Sequence, residues 1–352
     1  MIKTVRSIAV ALSAAALLSG GVASAQSVDL TGAGATFPYP IYSKWFSDYA
    51  QSTGVKINYQ SIGSGGGIRQ LSEQTVDFGA SDGPMTDQEL AGAKGGVVLH
   101  FPTVMGAVVI TYNVPGLNRP LNLSGDVISD IFTGKITKWN DARIVAQNRG
   151  VALPNSDVLV IHRTDGSGTT YIFSDYLSAV SPSWSSTLGT GKEIKWPVGI
   201  GGKGNEGVAG QVKQTPGSIG YVELAYAKQN KLPSAKVRNA AGYFITPSIA
   251  SITAAAASMK LPKNTDYRIS IVNAPGNDSY PISSMTWILV YQNQPDRVKG
   301  AKLVNFLRWA YKDGEKSAAS LDYAPLPASM LAQLQTRLKT IRIADTRVGA
   351  AR

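Results

Sequence analysis

Three short turns hold the residues best suited to chemistry in this chain: Gly34-Ala35-Thr36-Phe37, Gly63-Ser64-Gly65-Gly66-Gly67 and Arg163-Thr164-Asp165-Gly166-Ser167-Gly168-Thr169. Each sets small residues and hydroxyls just before a stretch of helical periodicity, where the first backbone N–H groups of a helix lack partners. Such a helix start holds a tetrahedral oxyanion through its N–H donors, and a serine or threonine adds a hydroxyl. Arg163 brings a full charge on a planar fork, and Asp165, two positions on, is placed to hold that fork. Asp82 is the odd member, because a carboxylate repels an anion. It suits an anion that still carries a proton for it to accept, as hydrogen phosphate does and sulfate does not, and it would then tell the two apart. Taken singly, each feature has a plainer reading: tight turns at the glycines, a surface ion pair for Arg163 and Asp165, a helix-preceding cap in Ser81-Asp82-Gly83-Pro84. Together, and divided between two regions of the chain, they favour an anion site.

The elements that must position these turns read as alternating short strands and amphipathic helices. Pro40–Ser52 spaces Ile41, Trp45, Phe46 and Tyr49 as a helix does, with Gly54 as its stop. Val55–Gln60 alternates like a strand and runs into the second turn, after which Ile68 and Leu71 mark a helix. Val76–Ala80 is a short strand ending at Ser81-Asp82, and Thr86-Asp87-Gln88-Glu89 matches a capping box. Val158–Arg163 is a strand leading into the third turn, with a helix beginning at Thr169. This alternation predicts parallel sheet in an α/β fold. Val97–Asn113 and Tyr280–Gln292 are longer apolar stretches, the first expected to break at Pro102 and Gly106. Lying on either side of a central block, they predict a chain that leaves one lobe and later returns to it. Ser124–Phe132 reads as a capped helix, Leu303–Tyr311 as a closing amphipathic helix, Ser248–Ser258 as helix or loose surface, and the basic end Arg337–Arg352 as a solvated terminus.

Composition narrows the chemistry. The 352 residues exceed one ordinary domain of roughly 100–200, so two lobes are expected. With no cysteine, disulfides, thiol nucleophiles, iron–sulfur clusters and cysteine zinc sites are excluded. His100 and His162 are the only imidazoles, too few for a histidine-rich metal site, and no carboxylate cluster suggests a metal either. No metal and no cofactor is expected. The formal net charge of +11 is spread thinly, without a run of five basic residues or basic–aromatic alternation, which disfavours a nucleic-acid groove. A diffuse positive field that steers small anions fits better. Met1–Ala25 combines Lys3 and Arg6, the apolar run Ile8–Leu18 and Ala23-Ser24-Ala25, the pattern of a cleaved secretory signal peptide. The apolar run is short of the about 20 residues a membrane span needs. Cleavage would leave Gln26 first and lower the net charge to +9.

Thr31-Gly32-Ala33-Gly34-Ala35-Thr36-Phe37-Pro38, Gln60-Ser61-Ile62-Gly63-Ser64-Gly65-Gly66-Gly67, Val76-Asp77-Phe78-Gly79-Ala80-Ser81-Asp82, the Arg163–Thr169 turn, Ile200-Gly201-Gly202-Lys203-Gly204-Asn205 and Gly220-Tyr221-Val222-Glu223 occur in this order. Together they resemble the periplasmic phosphate-binding proteins of phosphate-specific ABC transporters, from about Leu30 to Tyr323. The resemblance implies a two-lobed periplasmic solute-binding fold of type II, joined by two crossover strands that form a hinge. Residues 26–106 with 284–352 would form the first lobe and 107–283 the second. It implies a phosphate site of Thr36, Phe37, Ser64 and Asp82 on one side and Arg163, Asp165, Ser167, Gly168 and Thr169 on the other. Asp82 would accept the ligand proton and Arg163, oriented by Asp165, would clamp the charge; Gly65 is expected not to touch the ligand. The implied partners are inorganic phosphate and the permease subunits of the transporter. The chain would act as a periplasmic monomer, with no nucleic-acid partner.

The competing class is a secreted serine-dependent phosphoester or acyl hydrolase, with Ser64 or Ser167 activated by His162. His162 precedes Arg163 on one strand, so their side chains should leave opposite faces, and neither serine sits in a G-x-S-x-G elbow. A second rival keeps the binding role but takes sulfate, molybdate or a phosphonate; Asp82 makes fully deprotonated anions unattractive, whereas arsenate passes the same proton test. A scaffold or adhesion module would leave the three turns unexplained.

Overall fold

The computed structural model describes residues 29–117, 119–259, 261 and 265–344. The leader expected over Met1–Ala25 and the basic end from residue 345 onward lie outside the described residues. The main sheet contains β1 (Leu30–Gly34), β2 (Ile57–Ser61), β3 (Phe78–Ser81), β4 (Val98–Asn113), β5 (Leu159–Arg163), β6 (Ile200–Gly202), β7 (Ser218–Glu223) and β8 (Ser283–Tyr291). Its order is β2-β1-β3-β8-β4-β7-β5-β6. The two ends are parallel, as the strand–helix alternation predicts: β1 with β2 and β3, and β5 with β6 and β7. The middle is antiparallel, where β8 pairs with β3 and β4, and β4 with β7.

The fold is two-lobed, and β4 is the element shared by both halves. Its residues Val98–Ala107 pair with β8 and Val108–Asn113 pair with β7. The breaks expected at Pro102 and Gly106 do not occur: β4 runs unbroken for 16 residues. Met105 pairs with Met285 and Pro102 with Trp287, so Thr103 and Val104 together face the single residue Thr286. This β-bulge lies next to Pro102, one of the few places where a strand tolerates a missing N–H donor. The Pro102 carbonyl accepts the Tyr311 hydroxyl at 2.8 Å.

The glycine-rich turns open into four helices: α1 (Tyr39–Thr53), α2 (Ser64–Ser72), α3 (Gly168–Val180) and α4 (Gly204–Gln214). α1 buries Ile41, Tyr42, Trp45, Phe46 and Tyr49 and ends at the left-handed Gly54, as its spacing predicts. The capping box at Thr86 and Glu89 is present in both directions. Ser248–Ser258 resolves as the helix Ile249–Ala257, opened by a Ser248/Ser251 box and burying Ile252, Ala255 and Ala256. The helix expected to close the chain is longer and not terminal. It spans Arg297–Lys312, is capped by Asp296, and is followed by the helix Ala328–Arg337 and the strand Arg342–Ile343. The end is therefore not simply solvated: the Arg337 guanidinium lies over the rings of Tyr267 and Phe101, 5.1 and 5.8 Å from their centroids. The short strand Arg342–Ile343 pairs with Asn293–Gln294.

Each half has its own aromatic core. Phe46 packs against Tyr42, Tyr59, Phe78 and Phe306 in one. In the other, Phe173 stacks on Tyr221 with centroids 4.3 Å apart and touches Phe132, Trp184 and Trp196. Burying each such ring contributes about 1.5–3 kcal/mol, so each half has a core able to hold the strand ends and helix starts in place.

Candidate functional site

From the first half, the turn after β1 supplies Thr36 and Phe37, both buried. The Phe37 ring faces the core, 6.4 Å from the Tyr323 ring, and its carbonyl accepts the Tyr323 hydroxyl at 2.6 Å, so only its backbone is available at the turn. Ser64 opens α2 and Asp82 lies one residue beyond β3. The Ser64 hydroxyl accepts the Asp82 N–H at 3.1 Å and donates to Asp82 Oδ2 at 3.4 Å. Thr286 of β8 donates to Asp82 Oδ1 at 2.7 Å. Burial pushes the Asp82 carboxyl up to about 7, against the opposing pull of the Thr286 hydrogen bond, the Arg163 charge and Ser64. The glycine cluster lets α2 sit against the sheet: a Cβ on Gly67 would lie 2.4 Å from Gly34 Cα.

From the second half, Arg163 ends β5 and turns a buried guanidinium toward the third turn. Its Nε and Nη2 donate to the two carboxylate oxygens of Asp165 at 2.8 and 2.5 Å, a two-point clamp, and Nη1 donates to Thr169 Oγ1 at 3.2 Å. Burial, which alone would lower the Arg163 pKa and raise that of Asp165, is outweighed by their pairing: Arg163 is raised and Asp165 lowered. Both are charged throughout the neutral range. Ser167 caps α3, its hydroxyl accepting the Thr170 N–H at 3.0 Å, so that helix begins at Gly168, one residue earlier than the spacing predicts.

The two halves meet across these residues. The Gly65 N–H donates to the Gly166 carbonyl at 2.8 Å, so Gly65 joins the two turns through its backbone. A Cβ on Gly168 would stand 2.4 Å from Ser64 Oγ and 2.5 Å from Asp82 Oδ2, so only glycine permits this approach. All nine residues singled out in the sequence thus gather along one seam, Thr36, Phe37, Ser64 and Asp82 on one side and Arg163, Asp165, Ser167, Gly168 and Thr169 on the other.

Two further residues complete the arrangement. Asn205, at the start of α4, donates from Nδ2 to Thr36 Oγ1 at 2.8 Å and to Thr169 Oγ1 at 3.0 Å, cross-linking the first and third turns. Its carbonyl oxygen accepts the Glu223 N–H at 2.9 Å, which fixes the orientation, and the Gly204 N–H donates to Asp165 Oδ1 at 3.0 Å. The clue was present: Gly201-Gly202-Lys203-Gly204-Asn205 is a fourth glycine-rich strand-to-helix turn. Thr286 had none, being one of several hydroxyls on a buried strand, with nothing in the sequence to set it apart.

Hydroxyl, amide and guanidinium donors therefore surround one buried carboxylate acceptor. That arrangement can strip water from a small oxyanion and replace it with fixed donors. It lacks the geometry of nucleophilic catalysis. The His162 ring stacks on Trp196 at 5.0 Å with Nδ1 near the Arg163 carbonyl, and His100 Nε2 accepts the Met85 N–H at 3.1 Å. Both candidate serines are engaged elsewhere, Ser64 with Asp82 and Ser167 with the start of α3.

A family model described as the PBP superfamily domain matches residues 21–313. The chain is 46% identical over 329 residues to the phosphate-binding protein PstS of Pasteurella multocida (strain Pm70), covering 93% of this chain and 94% of that one. It is also 46% identical over 311 residues to PstS of Xylella fastidiosa (strain 9a5c), covering 88% of this chain and 85% of that one. Among solved structures it is similar in fold to a high-affinity periplasmic phosphate-binding protein, PfluDING, bound with phosphate. That likeness has a TM-score of 0.73 at 20% identity, over 90% of this chain and 100% of the other. A phosphate-binding protein from Stenotrophomonas maltophilia matches with a TM-score of 0.68 at 20% identity, over 88% of this chain and 93% of that one.

Proposed function

The chain belongs to the PstS family of phosphate-binding proteins, and from that premise we propose that it captures inorganic phosphate, as hydrogen phosphate, for import by an ABC transporter. It is a binding protein and not an enzyme. The observation that carries the reading is the seam itself: Asp82, a carboxylate buried between the Ser64 and Thr286 hydroxyls, is opposed by Arg163, a clamped and fully charged donor. A dianion that keeps one proton satisfies both at once. Its oxygens accept from Arg163, Ser64, Thr36 and Thr169, and its proton goes to Asp82.

Residues 29–106 with 284–344 form the first lobe and 107–283 the second. The change of partner along β4 between Ala107 and Val108 supports that division. Binding to one lobe followed by bending at β4 and β8 would bring the other lobe's donors onto the ion. Contacts across the seam support such closure: Lys192 Nζ with Glu89 at 3.0 Å, Lys228 with Asp322, and the Tyr226 hydroxyl with the Thr36 carbonyl at 2.7 Å. The closed form is the one a permease would distinguish. Among the described residues no helix is long and apolar enough to cross a membrane. Export to the periplasm with loss of Met1–Ala25, and action as a monomer, complete the proposal. The test is to unfold the purified protein, assay released phosphate, refold it free of anion and titrate with phosphate and sulfate. Heat from phosphate alone is expected; absence of phosphate in the supernatant together with no heat from phosphate would sink the proposal.

A further inference from the structure

Thr286 stands apart from the turns, on β8, in the bulge where β4 contributes two residues against one. Its side chain is fully buried, and its hydroxyl reaches Asp82 Oδ1 at 2.7 Å, against 3.5 Å to the Ser81 carbonyl. Its own carbonyl is held in turn: Thr103 of β4 donates to it at 3.2 Å, and the Tyr42 hydroxyl of α1 donates to Thr103 at 2.8 Å. The Tyr42, Thr103 and Thr286 hydroxyls thus link α1 through both crossover strands to one oxygen of Asp82, with the step from Thr103 to Thr286 made through the Thr286 main-chain carbonyl. The other oxygen, Oδ2, is the one beside Ser64 and Gly168.

We infer that Thr286 is a positioning residue for Asp82. It occupies Oδ1 with a donor, turns Oδ2 toward the anion, and keeps Asp82 an acceptor of the anion's proton. The inference rests on the phosphate reading above. The physical step is that a hydroxyl aimed at a carboxylate stabilises its charged form, so removing the hydroxyl makes Asp82 hold a proton to higher pH. A protonated Asp82 is a donor and accepts sulfate, and the discrimination is lost. The other groups facing Asp82 do not substitute for Thr286. Arg163 and Asp165 oppose one another, while burial keeps Tyr42, Tyr59, Tyr226 and Tyr323 protonated and raises Glu223 well above the usual range.

Sulfate has no proton of its own to lose near neutrality, so the pH dependence of its binding reports on the protein alone. Calorimetric titrations of anion-free wild type, Thr286→Val, Thr286→Ala and Thr286→Ser with phosphate and with sulfate, from about pH 5 to about pH 9, test the inference. In the two variants without a hydroxyl, sulfate binding should persist to about one pH unit higher than in wild type, with the phosphate-to-sulfate preference at neutral pH falling about 10-fold. Thr286→Ser should restore the wild-type profile. An unshifted profile in the hydroxyl-less variants, or equal loss for both anions at every pH, would overturn the inference and reduce Thr286 to a packing residue. Wild type binding neither anion would instead overturn the phosphate reading.

Discussion

Replacing Asp82 by asparagine should stabilise the closed form of the protein in the absence of anion, and should do so only at neutral and higher pH. The carboxyl is 1% exposed, and burial moves it from the ordinary 3.8 to about 7. Between those values the folded chain holds a proton that the unfolded chain has lost. Stability therefore falls as pH rises through that window and levels off above about 7. The full gap corresponds to about 4 kcal/mol at pH 8. Asparagine keeps the shape and one acceptor but forfeits a hydrogen bond from Ser64 or Thr286, about 1 kcal/mol, which leaves a net gain of about 3 kcal/mol. For a chain of this length that raises the melting temperature by on the order of 5 °C. At about pH 5 only roughly a third of the gap has opened, so the advantage should almost vanish once the hydrogen-bond loss is subtracted. Thermal unfolding of both proteins, stripped of anion by unfolding and refolding, at the two pH values is the assay. A variant less stable than wild type at pH 8, or an advantage independent of pH, would refute the idea that Asp82 is a carboxyl held under strain by burial until a protonated ligand arrives.

Arg163→Lys keeps a charge but loses the two-point grip of Asp165, and phosphate affinity measured by calorimetry should fall by about 10- to 100-fold. Asn205→Ala removes the side chain that hydrogen-bonds to both Thr36 and Thr169, and should weaken phosphate binding by about 10-fold while leaving the circular dichroism spectrum unchanged. Gly168→Ala places a methyl group within 2.5 Å of Ser64 Oγ and Asp82 Oδ2. The seam should then fail to close, with phosphate affinity down by more than about 100-fold and a larger radius of gyration by X-ray scattering in saturating phosphate. Wild-type affinity in that variant would mean the seam does not need so close an approach.

The turns that end a strand and open a helix were legible because their chemistry is local: Thr36, Ser64, Arg163 and Asp165 are marked by glycines and hydroxyls on either side. Asn205 lies in a turn of the same kind, but its part in the site comes from bonds to Thr36 and Thr169 in two other turns, which neighbouring residues in the sequence do not show. Thr286 was not legible at all, since what aims its hydroxyl is the register slip between Met285 and Trp287, a property of strand pairing that neither strand shows alone. The same slip explains why Pro102 did not break β4, as the spacing suggested. The helix around Leu303–Tyr311 reads too short because that stretch is only the apolar second half of Arg297–Lys312, whose polar start reads as loop.

The sheet order also dictates when each half can be finished. β4, β7, β5 and β6 all lie between Val98 and Glu223, so the second half has all its strands of the main sheet once that stretch of chain has emerged, and its small sheet of Asn122–Leu123, Lys236–Arg238 and Phe244–Ile245 soon after. In the first half, β8 sits between β3 and β4, and it comes from Ser283–Tyr291, near the end of the chain. Residues 29–97 must therefore wait, with β3 presenting an unpaired edge, until nearly the whole polypeptide is available. The N-terminal segment is the last to acquire its native neighbours, and a chain truncated before Ser283 would keep an exposed strand edge that invites pairing with another copy.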